Sequence, residues 1–292
     1  MSMTKYDAFL KVASCKSISK AASELGYTQS AISKMIFELE KEWDLTLFIR
    51  NHNGITLTSE GKALIPDVKR LLNAEEHLND TVLSLHGIEG GHIRLGAPFS
   101  ISANIMPGAL KDFQQRYPNT KVDLTEGEDN YIADLLKRGE IDICILPTPL
   151  ADIFDAQTLL SDPLVAVLPK ESKYAKAKTF PLKAFDTEEM IQVKEISDFD
   201  IRRFLKDNSL NTNTVYEVSD FNVMLSMVEK GLGFCVDYEL LLKPLRYDVI
   251  VKPLEKTQKR VLKLCARKGD PVTPIVEIFK KDFKEYIKKT HR

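Results

Sequence analysis

The chain has 292 residues, a length that favours about two domains over one. With 43% hydrophobic and 28% charged residues, it has the composition of a globular protein with a packed core, which excludes a long disordered chain. The net charge of -1 excludes a strongly basic nucleic-acid-binding protein, and no apolar run approaches the roughly 18 residues that span a bilayer.

The four cysteines are scattered along the sequence, with no C-x-x-C motif and no nearby set of histidine ligands. Such cysteines are typical of a reducing compartment, where they are expected to be small buried residues and a redox switch is the lesser alternative. The N-terminal segment lacks the cleavable apolar core of a secretory signal. We therefore expect a cytoplasmic protein with no membrane partner and no metal site.

The N-terminal part is organised by two short predicted helices joined by a tight turn, preceded by a first helix over residues 3–14. The second helix ends at Gly26, because glycine adopts a left-handed backbone conformation at low energetic cost. Thr28 suits the N-cap of the third helix. One face of that helix is an apolar stripe at helical spacing: Ile32, Met35, Ile36 and Leu39. Small Ala21 and Ala22 allow the close crossing that a helix-turn-helix needs.

The opposite face of the third helix carries side chains that donate to base edges and phosphates, plus one ring suited to a thymine methyl. These DNA-contact candidates are Gln29, Ser30, Ser33, Lys34 and Phe37. Ser17 and Lys20, at the second helix, complete the predicted surface. Through residue 62, eight Lys and Arg stand against seven Asp and Glu, so the case for DNA rests on placement and not on bulk charge.

Two β-prone runs then flank an Asn/Gly turn at residues 51–54 and predict a hairpin, or wing. Arg50, at the base of this hairpin, is placed for a phosphate or minor-groove contact. A surface salt bridge is the alternative role for Arg50.

This pattern resembles the LysR-type transcriptional regulators. The resemblance is carried by A-A-x-x-L from Ala21, T-Q-S-A-I-S-K from Thr28, L-E-x-E from Leu39, L-x-L-F-x-R from Leu45 and L-T-x-x-G from Leu57. Two departures are Ser30, where the family commonly has proline, and Trp43-Asp44, where Leu-Gly is usual. Because neither interrupts the apolar stripe, we expect them to affect which DNA is read. The resemblance implies an α/β protein with an N-terminal winged helix-turn-helix, a long linker helix and a two-lobed effector-binding domain.

A long helix is predicted from Thr58 to about Leu85. Its apolar residues form a heptad seam, with Glu75 in the one polar core position: Leu64, Val68, Leu71, Leu78, Val82 and Leu85. An exposed seam implies a partner helix. In the resembling family this helix pairs antiparallel across a dimer; packing on the chain's own second domain is the alternative. Pro66 is expected to bend the helix without ending it.

Beyond a glycine-rich joint (Gly87, Gly90 and Gly91), strands and helices alternate, which predicts a parallel α/β sheet. By the resemblance, the domains are residues 1–61 for DNA binding, 62–90 for the linker and hinge, and 91–292 for effector binding. Within the last, lobe I is expected near 91–162 and 260–292, and lobe II near 163–259.

Ligands of open α/β sheets bind beyond the carboxyl ends of strands and against helix N-termini. Polar or aromatic side chains at such positions give the effector-site candidates: Ser100, Ser102, Glu126, Thr148, Lys194 and Phe221. For the two serines, simple helix capping is the alternative. We expect a small-molecule effector, with an anionic metabolite as the predicted class, and no cofactor.

The predicted function is a transcription regulator that binds double-stranded promoter DNA as a homodimer or homotetramer. A small-molecule binding protein of the solute-receptor type is the alternative, since the two lobes resemble that fold too. An enzyme is not expected, because no phosphate-binding, nucleophile-elbow or zinc-protease motif occurs in the sequence.

Overall fold

The computed structural model describes residues 4–51, 54–85, 90–193, 199–243, 246–270 and 272–291. The chain divides into two compact units. The first comprises residues 1–89 with the short segment 137–141, and the second comprises residues 90–136 and 142–292. Gly87 of the predicted joint lies outside the described residues.

The first unit is a winged helix-turn-helix followed by one long helix. Its elements are α1 (Lys5–Cys15), α2 (Ile18–Leu25), α3 (Gln29–Trp43), β1 (Phe48–Asn51), β2 (Gly54–Leu57) and α4 (Ser59–Leu85). Strands β1 and β2 form an antiparallel hairpin. The predicted helix-turn-helix and wing are confirmed.

Local capping fixes the turn between α2 and α3. The Ser17 hydroxyl accepts the backbone N–H of Lys20 and starts α2, and Gly26 ends that helix at a φ of 71°. The Thr28 hydroxyl then accepts the N–H of Ala31 and starts α3. A cap of this kind stabilises a helix by about 1 kcal/mol, so these short polar side chains set the two helix boundaries.

The apolar stripe of α3 packs into the core of the first unit, with Ile32, Ile36 and Leu39 buried. Trp43 extends this core, because its ring stacks on Tyr6 and meets the edge of Phe9. Asp44 then ends α3 in the left-handed region, at a φ of 52°. The Trp43-Asp44 departure therefore acts on folding. Our expectation that it also affects which DNA is read stays a prediction.

Helix α4 starts at Thr58, whose hydroxyl accepts the N–H of Gly61 at 2.9 Å and donates to the carbonyl of Thr46 at 2.8 Å. Pro66 lies inside the helix without ending it. The backbone of Gly61 lies so close to β1 that an added Cβ would be 2.4 Å from the carbonyl oxygen of Leu47. Only glycine fits that approach.

The predicted seam of α4 divides into two parts. Val68 is 4% exposed and Leu64 is half-buried, and both pack against the core of the first unit. Val68 is therefore already covered within the chain, which corrects its place in the six-residue seam, whereas Leu64 is covered only in part. The remaining four are exposed: Leu71, Leu78, Val82 and Leu85.

The second unit contains nine strands and seven helices among the described residues. The strands are β3 (Gly91–Ala97), β4 (Thr120–Glu126), β5 (Ile143–Pro147), β6 (Asp155–Pro169), β7 (Glu189–Val193), β8 (Asn213–Val218), β9 (Cys235–Tyr238), β10 (Val249–Pro253) and β11 (Lys259–Ala266). The helices are α5 (Phe99–Asn104), α6 (Met106–Arg116), α7 (Asp129–Lys137), α8 (Ala184–Thr187), α9 (Phe199–Asp207), α10 (Phe221–Glu229) and α11 (Pro274–Thr290).

The main sheet of this unit is mixed, with strand order β10-β6-β11-β5-β3-β4 and β9 beside β6. Strand β3 runs parallel to β4 and β5, whereas β11 is antiparallel to both β5 and β6. The prediction of a parallel sheet is therefore correct for β3–β5 and for the separate β7–β8 pair, and wrong for the strands around β6.

Strand β6 is shared by the two lobes. Its first half pairs with β11, and its second half pairs with β9 and β10. In the second half, alternate side chains enter two different hydrophobic clusters. Leu164, Ala166 and Leu168 join one cluster, and Val165 and Val167 join the other. The strand is thus a structural element of both lobes.

Three of the four cysteines are buried, as expected for a reducing compartment. Cys144 and Cys265 lie opposite each other on β5 and β11. Burial raises the pKa of the Cys144 thiol well above its usual value, which keeps the thiol protonated and poorly nucleophilic. This disfavours a redox role for Cys144.

Replacing Gly61 with alanine is expected to destabilise the first unit by roughly 1–3 kcal/mol, because the new methyl group overpacks against the Leu47 carbonyl. Urea unfolding of the variant measures this loss. Lys62→Ala, at the neighbouring exposed position, is the control and should stay within about 0.5 kcal/mol of the parent. An unchanged urea midpoint for Gly61→Ala would contradict the close approach.

Candidate DNA-binding surface and ligand cavity

The predicted DNA-contact residues of α3 share one face of the helix. Gln29, Ser30, Lys34 and Phe37 are exposed, and Ser33 is half-buried. The ring of Phe37 is 64% exposed, which is unusual for so large an apolar side chain. Among the described residues, Lys34 has an exposed ion pair with Glu38 at 3.8 Å, which leaves its ammonium available to a phosphate.

Ser17 and Lys20 lie at the start of α2. Ser17 already caps that helix, so its hydroxyl has a structural partner. The Lys20 side chain is exposed and lies 3.9 Å from Glu24. The hairpin register pairs Arg50 with Ile55, which places it on the wing, but the Arg50 side chain lies outside the described residues.

Two acidic residues of α3, Glu40 and Glu42, are engaged away from this face. The Glu40 carboxylate accepts the N–H groups of Leu47 and Phe48, at 2.7 and 3.2 Å, and so ties α3 to the wing. Glu42 pairs with Lys5. The nearly neutral charge of this part of the chain is therefore compatible with a locally cation-bearing surface, because these carboxylates serve the fold.

The second unit contains a cavity of about 440 Å³ lined by residues of both lobes. Ser100 and Phe221, two of the predicted effector-site residues, line it from lobe I and lobe II respectively. Ser100 is 3% exposed, and its hydroxyl accepts a hydrogen bond of 2.8 Å from Nη2 of Arg260. Helix α5 has no side-chain cap, so capping does not account for Ser100.

The structure does not bring the other predicted effector residues to this cavity. The Ser102 hydroxyl donates to the Ala97 carbonyl at 3.3 Å, and the Thr148 hydroxyl donates to the Val261 carbonyl at 3.4 Å. Both are thus used by the nearby backbone. Glu126 is exposed at the end of β4 and does not line the cavity, and Lys194 lies outside the described residues.

Sequence reasoning missed the buried ion pair between Arg260 of β11 and Asp162 of β6, which face each other in the strand register. Nε and Nη2 of Arg260 donate to Asp162 Oδ2 at 3.0 and 2.8 Å. Arg260 is 9% exposed and Asp162 2%. The guanidinium carbon lies 4.0 Å from the centroid of the Tyr238 ring, a cation–π contact. Asp162 Oδ1 also accepts the N–H of Leu240 at 2.9 Å.

The N-terminus of α10, which borders the cavity, is already occupied by a carboxylate. Asp220 Oδ1 accepts the N–H groups of Asn222 and Val223, at 2.8 and 3.1 Å. A helix N-terminus binds anions through such groups. Because Asp220 fills that role, this terminus does not provide an anion site for a ligand.

Among the described residues, no group of three or more His, Cys, Asp or Glu side chains is placed to hold a metal ion. Within the same part of the chain, no helix has both the length and the apolarity to cross a membrane.

The chain combines a winged helix-turn-helix, which has an exposed polar recognition face, with a two-lobed α/β unit that contains a cavity. This combination defines the class of regulators that have a DNA-binding part and a ligand-binding part in one chain. The family model "LysR substrate binding domain" matches residues 86–288, and "Bacterial regulatory helix-turn-helix protein, lysR family" matches residues 3–62. The chain belongs to the LysR family of transcriptional regulators.

Similar proteins cover nearly the whole chain. The uncharacterized HTH-type transcriptional regulator YvbU of Bacillus subtilis (strain 168) is 28% identical over 268 residues, 91% of each chain. Full-length CbnR, solved in complex with its target DNA, matches with a TM-score of 0.72 and 18% identity, over 97% of this chain and 98% of that one. The effector-binding domain of QuiR in complex with shikimate matches with a TM-score of 0.60 and 19% identity, over 69% of this chain and 99% of that one.

The helix-turn-helix match removes support for the alternative of a solute-receptor-type binding protein, since such a protein has no need of a DNA-reading head. The family consists of transcriptional regulators and gives no indication of a catalytic function.

Asp162→Ala is expected to destabilise the second unit by about 3–5 kcal/mol, because the Arg260 guanidinium would stay buried without its counter-charge. Thermal and urea unfolding measure the loss. Asp152→Ala is the matched control: it removes a carboxylate that pairs with another β11 cation, Lys263, at a largely exposed site, and should cost about 0–1 kcal/mol. Equal losses in the two variants would contradict a special role for the buried pair.

Proposed function

We propose that this protein binds double-stranded promoter DNA with α3 in the major groove and the wing against the backbone. The observation that carries the proposal is the two-faced character of α3. Ile32, Ile36 and Leu39 are buried, whereas the opposite face exposes a hydroxyl, an amide, a lysine and an aromatic ring. These groups match the donors and apolar contacts that read base edges, and Lys34 is the candidate for a phosphate contact. Such a regulator acts in the cytoplasm, where it meets the chromosome.

The protein is further proposed to act as a homodimer or homotetramer through the exposed part of the α4 seam. Leu71 is 50%, Leu78 63% and Leu85 82% exposed, and with Val82 they share one stripe. A row of apolar side chains on a helix surface favours a partner helix with the same pattern. A second copy of α4 provides that pattern, and the pairing would set the distance between two DNA-binding heads.

The cavity of the second unit is proposed to hold the effector, a small molecule with an anionic group. Support comes from Arg260, a cavity-lining guanidinium next to Ser100. Arg260 also pairs with Asp162 of β6, the strand that both lobes share. A ligand that contacts Arg260 would thus act where the lobes join. It can change DNA binding only through a difference in affinity between two arrangements of the protein.

Substitutions on the exposed face of α3 test the DNA proposal. Ser33→Ala and Lys34→Ala should each weaken binding to protected genomic sites while leaving the melting temperature unchanged, because neither side chain is in the core. For Lys34→Ala, the slope of log affinity against log salt should fall by about one unit. Lys41→Ala, an exposed lysine near the other end of α3, is the control. Parent-like affinity in both variants would exclude this face as the reading surface.

A charge in the seam tests the assembly. Leu78→Asp should produce smaller species in analytical ultracentrifugation and weaken DNA binding, since a carboxylate would have to be buried in an apolar interface. Arg70→Asp, an exposed α4 position off the seam, changes the charge more and should leave assembly intact. If Leu78→Asp sediments like the parent, the oligomer forms through another surface.

A further inference from the structure

The charge of the ligand cavity is dominated by carboxylates. Four acidic residues line the cavity: Glu128, Asp129, Asp220 and Asp237. Arg260 is the one Lys or Arg among the described lining residues, and Asp162 already neutralises it. A ligand that carried only negative charge would meet this excess of like charge among the lining residues.

The acidic residues lie on both sides of the cavity. Glu128 and Asp129 come from the start of α7 in lobe I, and Asp220 and Asp237 come from α10 and β9 in lobe II.

Arg260 nevertheless retains hydrogen-bonding capacity. Its Nε–H and one Nη2–H donate to Asp162, and the other Nη2–H donates to Ser100. A guanidinium carries five N–H donors, so the two hydrogens of Nη1 have no partner among the described residues. Arg260 lines the cavity, so the Nη1 hydrogens are available to an acceptor such as a ligand carboxylate.

The rest of the lining is largely apolar and suits a hydrocarbon body. The apolar lining residues include Phe99, Val193, Ile201, Phe221, Met224 and Leu241. A volume of about 440 Å³ lies within the range of small-molecule sites, which are mostly apolar with a few placed polar groups.

From these three features we propose that the cavity binds a zwitterion, an α-amino acid with an apolar side chain. Its carboxylate accepts from Nη1 of Arg260, its ammonium faces the acidic lining, and its side chain packs against the apolar residues. This inference rests on the proposed ligand-binding function. It narrows the predicted class of ligand from any small anion to one that carries an ammonium group beside its carboxylate.

The ligand class is tested on the full-length protein with sets of compounds that share one hydrocarbon body and differ in their charged groups. A thermal-shift screen of the twenty protein amino acids comes first, followed by calorimetric titration of two trios. One trio is L-phenylalanine, 3-phenylpropanoate and 2-phenylethylamine; the other is L-leucine, 4-methylpentanoate and 3-methylbutylamine. We expect an apolar amino acid to raise the melting temperature in a dose-dependent way, and its ammonium-free carboxylate to bind at least about tenfold more weakly.

The substitution Asp220→Asn tests whether the preference for an ammonium group arises in this cavity. Asparagine caps a helix as well as aspartate, so α10 should keep its N-terminus while the cavity loses one negative charge. The variant should bind the amino acid more weakly and the bare carboxylate more tightly. Asp207→Asn, which removes an exposed carboxylate at the far end of α9, is the matched control and should leave both affinities unchanged.

Two results would overturn the inference. One is a carboxylate without the ammonium that binds as tightly as its amino acid, and the other is the absence of any thermal shift with all twenty amino acids. DNA binding of the unliganded protein is measured in parallel. Intact DNA binding with no amino-acid binding would reject the ligand class and leave the regulator function standing.

Discussion

The architecture of the second unit depends on one buried ion pair. Arg260 and Asp162 lie opposite each other on β11 and β6, almost entirely out of water. Burying either charge alone costs several kcal/mol, so each residue requires the other. The network then adds the ring of Tyr238, the hydroxyl of Ser100 and the N–H of Leu240. Through these partners, one charge pair connects the sheet, the first helix of lobe I and the wall of the cavity.

The first unit is stabilised differently, because DNA binding requires an exposed surface and not a cavity. Its helix α3 is fixed by apolar packing on one side and by Glu40, which binds the backbone of the wing. The aromatic contacts of Trp43 hold the far end of the same helix. A DNA-reading helix has to be rigid if its side chains are to meet base edges in register. Here that rigidity comes from residues that do not themselves face the DNA-binding surface.

The sequence predicts what is decided locally. The caps at Ser17, Thr28 and Thr58, the stop at Gly26 and the apolar stripe of α3 depend on neighbours within one or two turns. The heptad pattern of α4 could also be predicted from the sequence. The burial of Val68 in the core of the first unit could not.

What escaped the sequence depends on distant partners. Arg260 and Asp162 are 98 residues apart, and no local pattern links them. For Thr148 and Glu126 the ends of the strands were located well, but the direction of each side chain is set by the pleat and by the neighbouring backbone. Only the folded chain determines that direction.

Strand β6 also constrains how this fold can change over evolution. Its side chains between Leu164 and Leu168 alternate between two hydrophobic clusters. Inserting or deleting a single residue between Leu160 and Leu164, after the register shift at Leu159, would turn every later side chain to the opposite face. Leu164 would then point into the cluster that now holds Val165, and both clusters would lose their fit at once. Length differences among descendants of this sequence should therefore accumulate in surface loops and at the register shift, while the stretch from Leu160 to Pro169 keeps a fixed number of residues.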